Sequence, residues 1–279
     1  MDAMRSILVA LHGSDPDSAG QELAVAWAQR YNAEALGLAV VDNTVAAPIA
    51  VPIGGGAFKQ AEEAGLIAGR RRLARMVQQA FTARCQTANV SFRVDQAEGV
   101  PHRIVADELQ GHDVAIVDNQ SPLEYGAGES PAHVLERLIR IAPRPVVSAP
   151  RAYCPGDTIL VAFDGSTPSA RALFGFIGSG LTSGLKVQVL TVDQDSEDSA
   201  RSRAQRGIDY LQRHSIEVTF RPVVSDRPVS EVICDEAAQQ HCDLLVMGPH
   251  GRPALVEFFL GSTTKEVIDN STVPVFLFH

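Results

Sequence analysis

Two stretches of this chain repeat one another, and the repetition constrains the fold more than any other feature. Ser6-Ile7-Leu8-Val9-Ala10-Leu11-His12-Gly13-Ser14 lines up with Thr158-Ile159-Leu160-Val161-Ala162-Phe163-Asp164-Gly165-Ser166, 152 positions on. Each is an apolar run, then a polar Gly-Ser turn, then a helical pattern. Asp113 to Val117 lines up with Asp243 to Met247, and Arg144 to Ser148 with Val273 to Leu277, at shifts of 130 and 129. A period of this kind marks two copies of one unit, the first carrying about 22 more residues in its middle. Thr44 to Ala57, with two prolines and Gly54-Gly55-Gly56, reads as a mobile loop that holds part of the excess. The turn signal Pro155-Gly156 lies in a linker from Arg151 to Asp157, so the expected domains are 1–151 and 157–279. A length of 279 residues agrees with two domains.

The second copy shows its elements more clearly. Thr158 to Phe163 is a nearly all-apolar strand, the kind buried on both faces of a parallel sheet. A helix follows over Ser166–Gly178, with Pro168 in its first turn. Lys186 to Val192 predicts a strand, and 196–214 a helix with Ala200, Ala204, Ile208 and Leu211 on one face. Further strands are expected over Glu217–Val223, Leu244–Met247 and Val275–Phe278, with helices over Val229–Gln240 and Thr263–Asn270. Strands alternating with helices imply parallel pairing by right-handed crossovers, a doubly wound α/β sheet in each copy. Ligands of such sheets sit beyond the carboxyl ends of the strands. That selects the loops after Phe163, Val192 and Met247.

Charge narrows the ligand. The formal net charge is -9 and the isoelectric point about 5.4, so the surface repels nucleic acid and anionic membranes at long range. A bound phosphate must be held by local donors. Four scattered cysteines outside any C-x-x-C spacing, and no apolar run of signal-peptide or membrane-spanning length, point to a cytoplasmic protein.

The loop after Met247 is the most informative stretch. It reads Gly248-Pro249-His250-Gly251, then nine residues from Arg252 to Leu260, then Gly261-Ser262-Thr263-Thr264. Glycines let the backbone approach a ligand, and the amides opening a helix at Gly261-Ser262-Thr263 suit a phosphate without any basic patch. Ser262 and Thr263 add hydroxyls. Arg252 is placed either to reach a phosphate or to stand in solvent. Taken singly, a glycine here or a serine before a helix is an ordinary structural choice; the whole G-x2-G-x9-G-[ST] spacing after a buried strand is far more specific.

At these residues the chain resembles the universal stress protein family, over both copies. The G-x2-G-x9-G-[ST] loop of that family's ATP-binding members is intact here, and Val161 to Ser166 is similar to the family's first strand with its acidic residue. The resemblance implies tandem domains, each a five-stranded parallel sheet of order 3-2-1-4-5 flanked by helices. It implies that Gly248, Gly251, Gly261 and Ser262 line ribose and phosphates, with Thr263 extending the phosphate site; Met247 and Arg252 are taken with them as candidate site residues. Asp164 and Ala162 would stand at the adenine or ribose end, and the backbone of Val192 would bond adenine. Without the resemblance, Asp164 before Gly165 reads as an Asx-turn or a helix cap. The implied ligand is ATP, with ADP or AMP as alternatives and Mg or Mn able to bridge the phosphates. The fifth strand commonly mediates dimers in the family, so intramolecular pairing of the two domains is expected, with a homodimer and a regulatory protein partner as further expectations.

The first copy departs from this pattern. Asp118 stands where Gly248 stands in the second, His12 where Asp164 stands, and Gly128-Glu129-Ser130 where Gly-Ser-Thr would be. A carboxylate about 4 Å from a phosphate opposes it by about 4 kcal/mol at a surface dielectric near 20, so no ATP is expected there. His241-Cys242-Asp243 is no metal site, because neighbouring side chains diverge. With no nucleophile elbow and no P-loop lysine, the chain reads as a holder of nucleotide in a stress-response sensor or regulator, with slow hydrolysis at most. A slow ATPase or nucleotidyl transferase, and an interaction module with no nucleotide, are the readings from other classes.

Overall fold

The structure, a computed structural model, describes residues 4–11, 18–43, 56–119, 131–182, 184–249 and 260–279. The first repeat runs β1 (Ser6–Leu11), α1 (Ala19–Tyr31), β2 (Glu34–Val41), α2 (Gly56–Ala88), β3 (Phe92–Glu98), α3 (Pro101–Glu108), β4 (Val114–Asp118), α4 (Pro131–Ile141) and β5 (Val146–Ala149). The second runs β6 (Thr158–Ala162), α5 (Thr167–Gly178), β7 (Lys186–Asp193), α6 (Glu197–Arg213), β8 (Val218–Val224), α7 (Val229–Gln239), β9 (Cys242–Met247), α8 (Ser262–Asn270) and β10 (Val275–Leu277).

The ten strands among the described residues form one sheet, ordered β3-β2-β1-β4-β5-β10-β9-β6-β7-β8. Each repeat is therefore a doubly wound unit of order 3-2-1-4-5, parallel throughout, and the two share an edge. That shared edge is antiparallel: Val275 faces Ser148, Phe276 faces Val147 and Leu277 faces Val146. Edge strands expose unpaired amides and carbonyls, and here each repeat covers the other's. The expected pairing of the two copies is thus intramolecular and runs through the fifth strands.

Alternation along the strands sends side chains to two cores. Ile7, Val9, Ile159, Val161, Leu244 and Val246 point to one face, packed beneath α1, α2, α5 and α6. Leu8, Leu160 and Leu245 point to the other, beneath α3, α4, α7 and α8. Each core runs through both repeats, so the seam is continuous packing. Phe276 of β10 stacks edge-on against Phe176 of α5, ring centres 6.0 Å apart.

The elements expected in the second repeat lie within a residue or two of those observed. Ser166 and Ser196 are the N-caps of α5 and α6, their hydroxyls accepting from the amides of Ser169 and Ser199. One expectation needs correction. Gly56 and Ala57 belong to a helix; the rest of the loop placed at Thr44 to Ala57 lies outside the described residues. Much of the first repeat's excess is helical instead, because α2 has 33 residues against 17 in α6.

Buried charge ties the repeats together near the amino end of β9. Asp243, the second residue of β9, is almost fully buried. Its carboxylate accepts from Arg30 of α1 at 2.5 Å, the Tyr153 hydroxyl at 2.8 Å and the Gly156 amide at 3.1 Å. Burial pushes the Tyr153 hydroxyl well above its ordinary value, and the negative Asp243 beside it adds to this. For Arg30 burial opposes the cation, but the bond to Asp243 outweighs it and holds the guanidinium charged. The equivalent Asp113 does the same local work in the first repeat, accepting from the amides of Arg5 and Ser6 at 2.7 and 3.0 Å. Beside Asp243, Cys242 is buried, and that burial pushes its thiol up to about 12.

Candidate functional site

In the second repeat the strand order reverses between β6 and β9, where Ala162 lies opposite Met247. The carboxyl ends of both strands, the start of α5 and the start of α8 therefore meet at one rim. This is the crevice that doubly wound sheets offer to ligands.

Helix α8 supplies the donors. Gly261 is its N-cap, and the Gly261 carbonyl accepts the first helical bond from the Lys265 amide at 3.0 Å. The amides of Ser262, Thr263 and Thr264 precede that bond, so none has a partner inside the helix. Gly261 has no side chain to cap them. The helix thus begins with a cluster of oriented N–H groups at its positive end. Two bonds hold the cluster against the strand end. The Gly261 amide donates to the Pro249 carbonyl at 3.1 Å, joining the two ends of the glycine loop. The Thr264 hydroxyl donates to the Gly248 carbonyl at 3.3 Å. Ser262 is exposed and Thr263 half-buried, so both side chains border the rim. Gly251 and Arg252 lie outside the described residues, as do His12, Gly128 and Glu129 of the first repeat.

Gly248 has a reason to be glycine that involves no ligand. A Cβ there would stand 2.6 Å from the carbonyl carbon of Pro168 and 2.6 Å from the amide nitrogen of Ser169, backbone atoms in the first turn of α5. The residue brings the α5 N-terminus against the end of β9. Gly261 is different: its φ of −58° and ψ of 151° are open to any residue.

The other expected residues fall around the same rim. Ala162 ends β6 and is half-buried; Met247 ends β9 and is buried. Asp164 follows two residues after Ala162, and its Oδ1 accepts from the Ser166 amide at 3.0 Å, the turn-forming bond expected of an Asp before Gly. Among the described residues no bond takes its second oxygen. Val192 is the penultimate residue of β7. Leu190 turns its carbonyl toward the first strand of the repeat, accepting from Phe163 at 2.9 Å. Alternation along a strand turns the peptide groups of Val192, two residues on, to the same side, where β6 has already ended.

Asp193, one residue further, was not anticipated as important. It is buried, and it accepts from the Asp195 amide at 2.8 Å, the Arg203 guanidinium at 2.8 Å and the Ser199 hydroxyl at 2.9 Å. The Asp195 amide first, then Arg203 and Ser199, hold its carboxyl well below the usual carboxylate range. The carboxylate fixes the turn from β7 into α6 beside the rim. The apolar pattern of the strand ended at Val192, so hydrophobicity alone gave no sign of it.

The first repeat fills the corresponding corner itself. Asp118 ends β4, and its Oδ1 accepts from the Gly20 amide in the first turn of α1 at 2.7 Å. A Cβ on Gly20 would come within 2.9 Å of that oxygen. In one repeat, then, a glycine on the strand admits a full-sized helix turn; in the other, a glycine on the helix admits a carboxylate from the strand.

Fold and rim together define a tandem pair of doubly wound α/β units, with the uncapped start of α8 at the rim of the second. Residues 156–279 match the model of the universal stress protein family. A universal stress protein from Synechocystis is 28% identical over 145 residues, a match spanning 52% of this chain and 50% of that relative. Over nearly the whole chain the fold is that of a universal stress protein from Archaeoglobus fulgidus, with a TM-score of 0.67, 18% identity and coverage of 99% of this chain and 96% of that one. A putative universal stress protein from Pseudomonas aeruginosa gives a TM-score of 0.59 at 16% identity, over 99% and 93%. The second repeat is a universal stress protein family domain, and the first shares its fold.

Proposed function

We propose that the second repeat binds an adenine nucleotide, ATP first among them, and that the chain is a cytoplasmic stress-response regulator with one such site. The observation that carries this reading is the uncapped start of α8, whose amides stand at the rim where β6 and β9 end. The phosphates would rest on the amides of Ser262, Thr263 and Thr264, with the hydroxyls of Ser262 and Thr263 beside them. Asp164 and the peptide groups of Val192 lie at the same rim, on the side where ribose and adenine would extend; Ala162 and Met247 form the floor. Gly251 and Arg252 complete the loop in this reading. A divalent ion would arrive on the phosphates, since among the described residues no three His, Cys, Asp or Glu side chains gather to hold one. The first repeat takes no ATP, because Asp118 presents a carboxylate at its corner. In the same reading 1–151 and 157–279 are the two domains. Among the described residues no helix is long and apolar enough to cross a membrane.

Gly261→Glu tests the site. The dihedrals at 261 are open to any residue, so the variant is expected to fold, with its carboxylate placed at the start of α8. Calorimetric titration is expected to show ATP affinity falling about 100-fold or more, as a like charge in place of an open anion site requires. Unchanged affinity in a folded Gly261→Glu protein places the nucleotide elsewhere.

A further inference from the structure

The cradle of the second repeat is not built by that repeat alone. Glu136, on α4 of the first repeat, reaches across the seam. Its Oε1 accepts from the Leu260 amide at 3.1 Å, and its Oε2 pairs with the Lys265 ammonium at 3.3 Å. Leu260 immediately precedes the N-cap of α8, and Lys265 lies at the end of its first turn. Asn119 of the first repeat adds a third tie, donating to the Ile268 carbonyl on the same helix at 2.8 Å. The Glu136 side chain is 12% exposed and that of Lys265 38%, so the carboxylate is well shielded and the lysine can move.

Side chains on a helix lean toward its N-terminus. The Lys265 stem therefore runs back over the turn that carries the Ser262 and Thr263 amides. Lys265 is a cation on the turn that carries those amides, and Glu136 pairs with it. The same carboxylate sits one residue from the N-cap, where each further phosphate charge would feel its repulsion.

We propose that Glu136 sets how many phosphates the cradle favours, by holding Lys265 in an ion pair across the repeats and by fixing the loop exit at Leu260. This rests on the reading of the cradle as a nucleotide site. A polyphosphate competes with Glu136 for the lysine; a monophosphate, which needs only the amides, does not. Occupancy by ATP is thereby coupled to the α4–α8 contact, and through it to the seam between the repeats.

Glu136→Gln in the full chain tests the charge while keeping an acceptor for the Leu260 amide. Titration with ATP and with AMP is expected to show ATP tightened about 5- to 10-fold at low salt, and AMP changed less than about twofold. Salt at about 0.5 M should erase most of the gain, and Glu136→Gln placed on Lys265→Gln should produce a smaller gain, the part due to direct repulsion alone. A purely structural role would shift both nucleotides together; equal shifts, or weaker ATP, overturn the proposal. If the unaltered protein binds neither nucleotide, the reading of the site fails by itself, and the hold on the loop is decided without ligand. Amide exchange over residues 260–264 should then be faster in Glu136→Ala than in the unaltered chain, with β6 to β8 unchanged. Identical exchange over 260–264 overturns the hold as well.

Discussion

Replacing Gly248 by alanine should damage the fold before it damages any ligand contact. The new Cβ would meet the carbonyl carbon of Pro168 at 2.6 Å, the Ser169 nitrogen at 2.6 Å and the Pro168 oxygen at 2.8 Å. Carbon atoms in contact settle at about 3.5–4.0 Å, so the overlap is about 1 Å. All three atoms are backbone in a capped first turn, where Ser166 already accepts from Ser169. No rotamer change relieves the clash; either α5 or the end of β9 must move. Overpacking of this kind costs about 1–3 kcal/mol, and rigid neighbours on both sides put this case near the top of that range. At about 2–4 °C per kcal/mol for a unit of this size, the melting temperature should fall by about 5–10 °C. Thermal and urea unfolding followed by circular dichroism measure the cost, and calorimetric titration of the folded protein measures nucleotide affinity separately. A variant that melts within 1 °C of the unaltered chain yet loses nucleotide would refute the reasoning. It would mean that Gly248 faces the ligand and not α5.

Two further outcomes follow from buried charge. Arg30→Ala leaves Asp243 buried with only the Tyr153 hydroxyl and the Gly156 amide, and should cost about 3 kcal/mol in urea unfolding; a loss below about 1 kcal/mol would show that the ion pair is dispensable. Asp193, whose carboxyl is held below its ordinary value in the folded chain, stabilises the fold above the unfolded value near pH 4 and loses that contribution as pH falls through the folded value. Asp193→Asn should therefore be less stable than the unaltered protein at pH 7, with the difference shrinking below about pH 4; a gap constant from pH 7 to pH 2 contradicts this.

The second repeat was legible because parallel, doubly covered strands are written as short apolar runs. Ile159 to Val161 and Leu244 to Val246 are all buried, and each is followed by the polar turn that ends it. Helix starts were legible to within a residue: Ser166 and Ser196, expected as the first residues of helices, are the caps just before them. Helix α2 was less so. Leu66, Leu73 and Met76 stand exposed on it, which blurs the apolar period that marks a helix with one buried face. Contacts that join the repeats left no local trace. Arg30 and Asp243 are 213 positions apart, and neither residue's neighbours announce the other. The glycine spacing pointed to the rim where β6 and β9 end, yet it could not separate Gly248, which serves packing, from Gly261, whose backbone makes no such demand. Spacing records where glycine stands and not which atom approaches it.

The seam explains why two copies in one chain need not remain alike. In a symmetric dimer, a residue on the two-fold axis faces its own copy. Here the shift of 129 that relates the ends of the repeats makes Val147 equivalent to Phe276 and Glu136 equivalent to Lys265. Both pairs meet across the seam: Phe276 opposite Val147 in the ladder, Glu136 against Lys265 above it. Identical copies would place two phenylalanines or two valines at the first position, crowding it or leaving a gap. At the second they would place like charges about 4 Å apart, a repulsion of about 4 kcal/mol at a surface dielectric near 20. Fusion removes the identity constraint, so one copy can carry the large residue and the other the small, one the carboxylate and the other the amine. The first repeat can therefore carry Asp118 where the second carries Gly248 without giving up its place at the seam. What it contributes to the start of α8 is the Glu136 carboxylate on the Leu260 amide, on a helix its own fold holds in place.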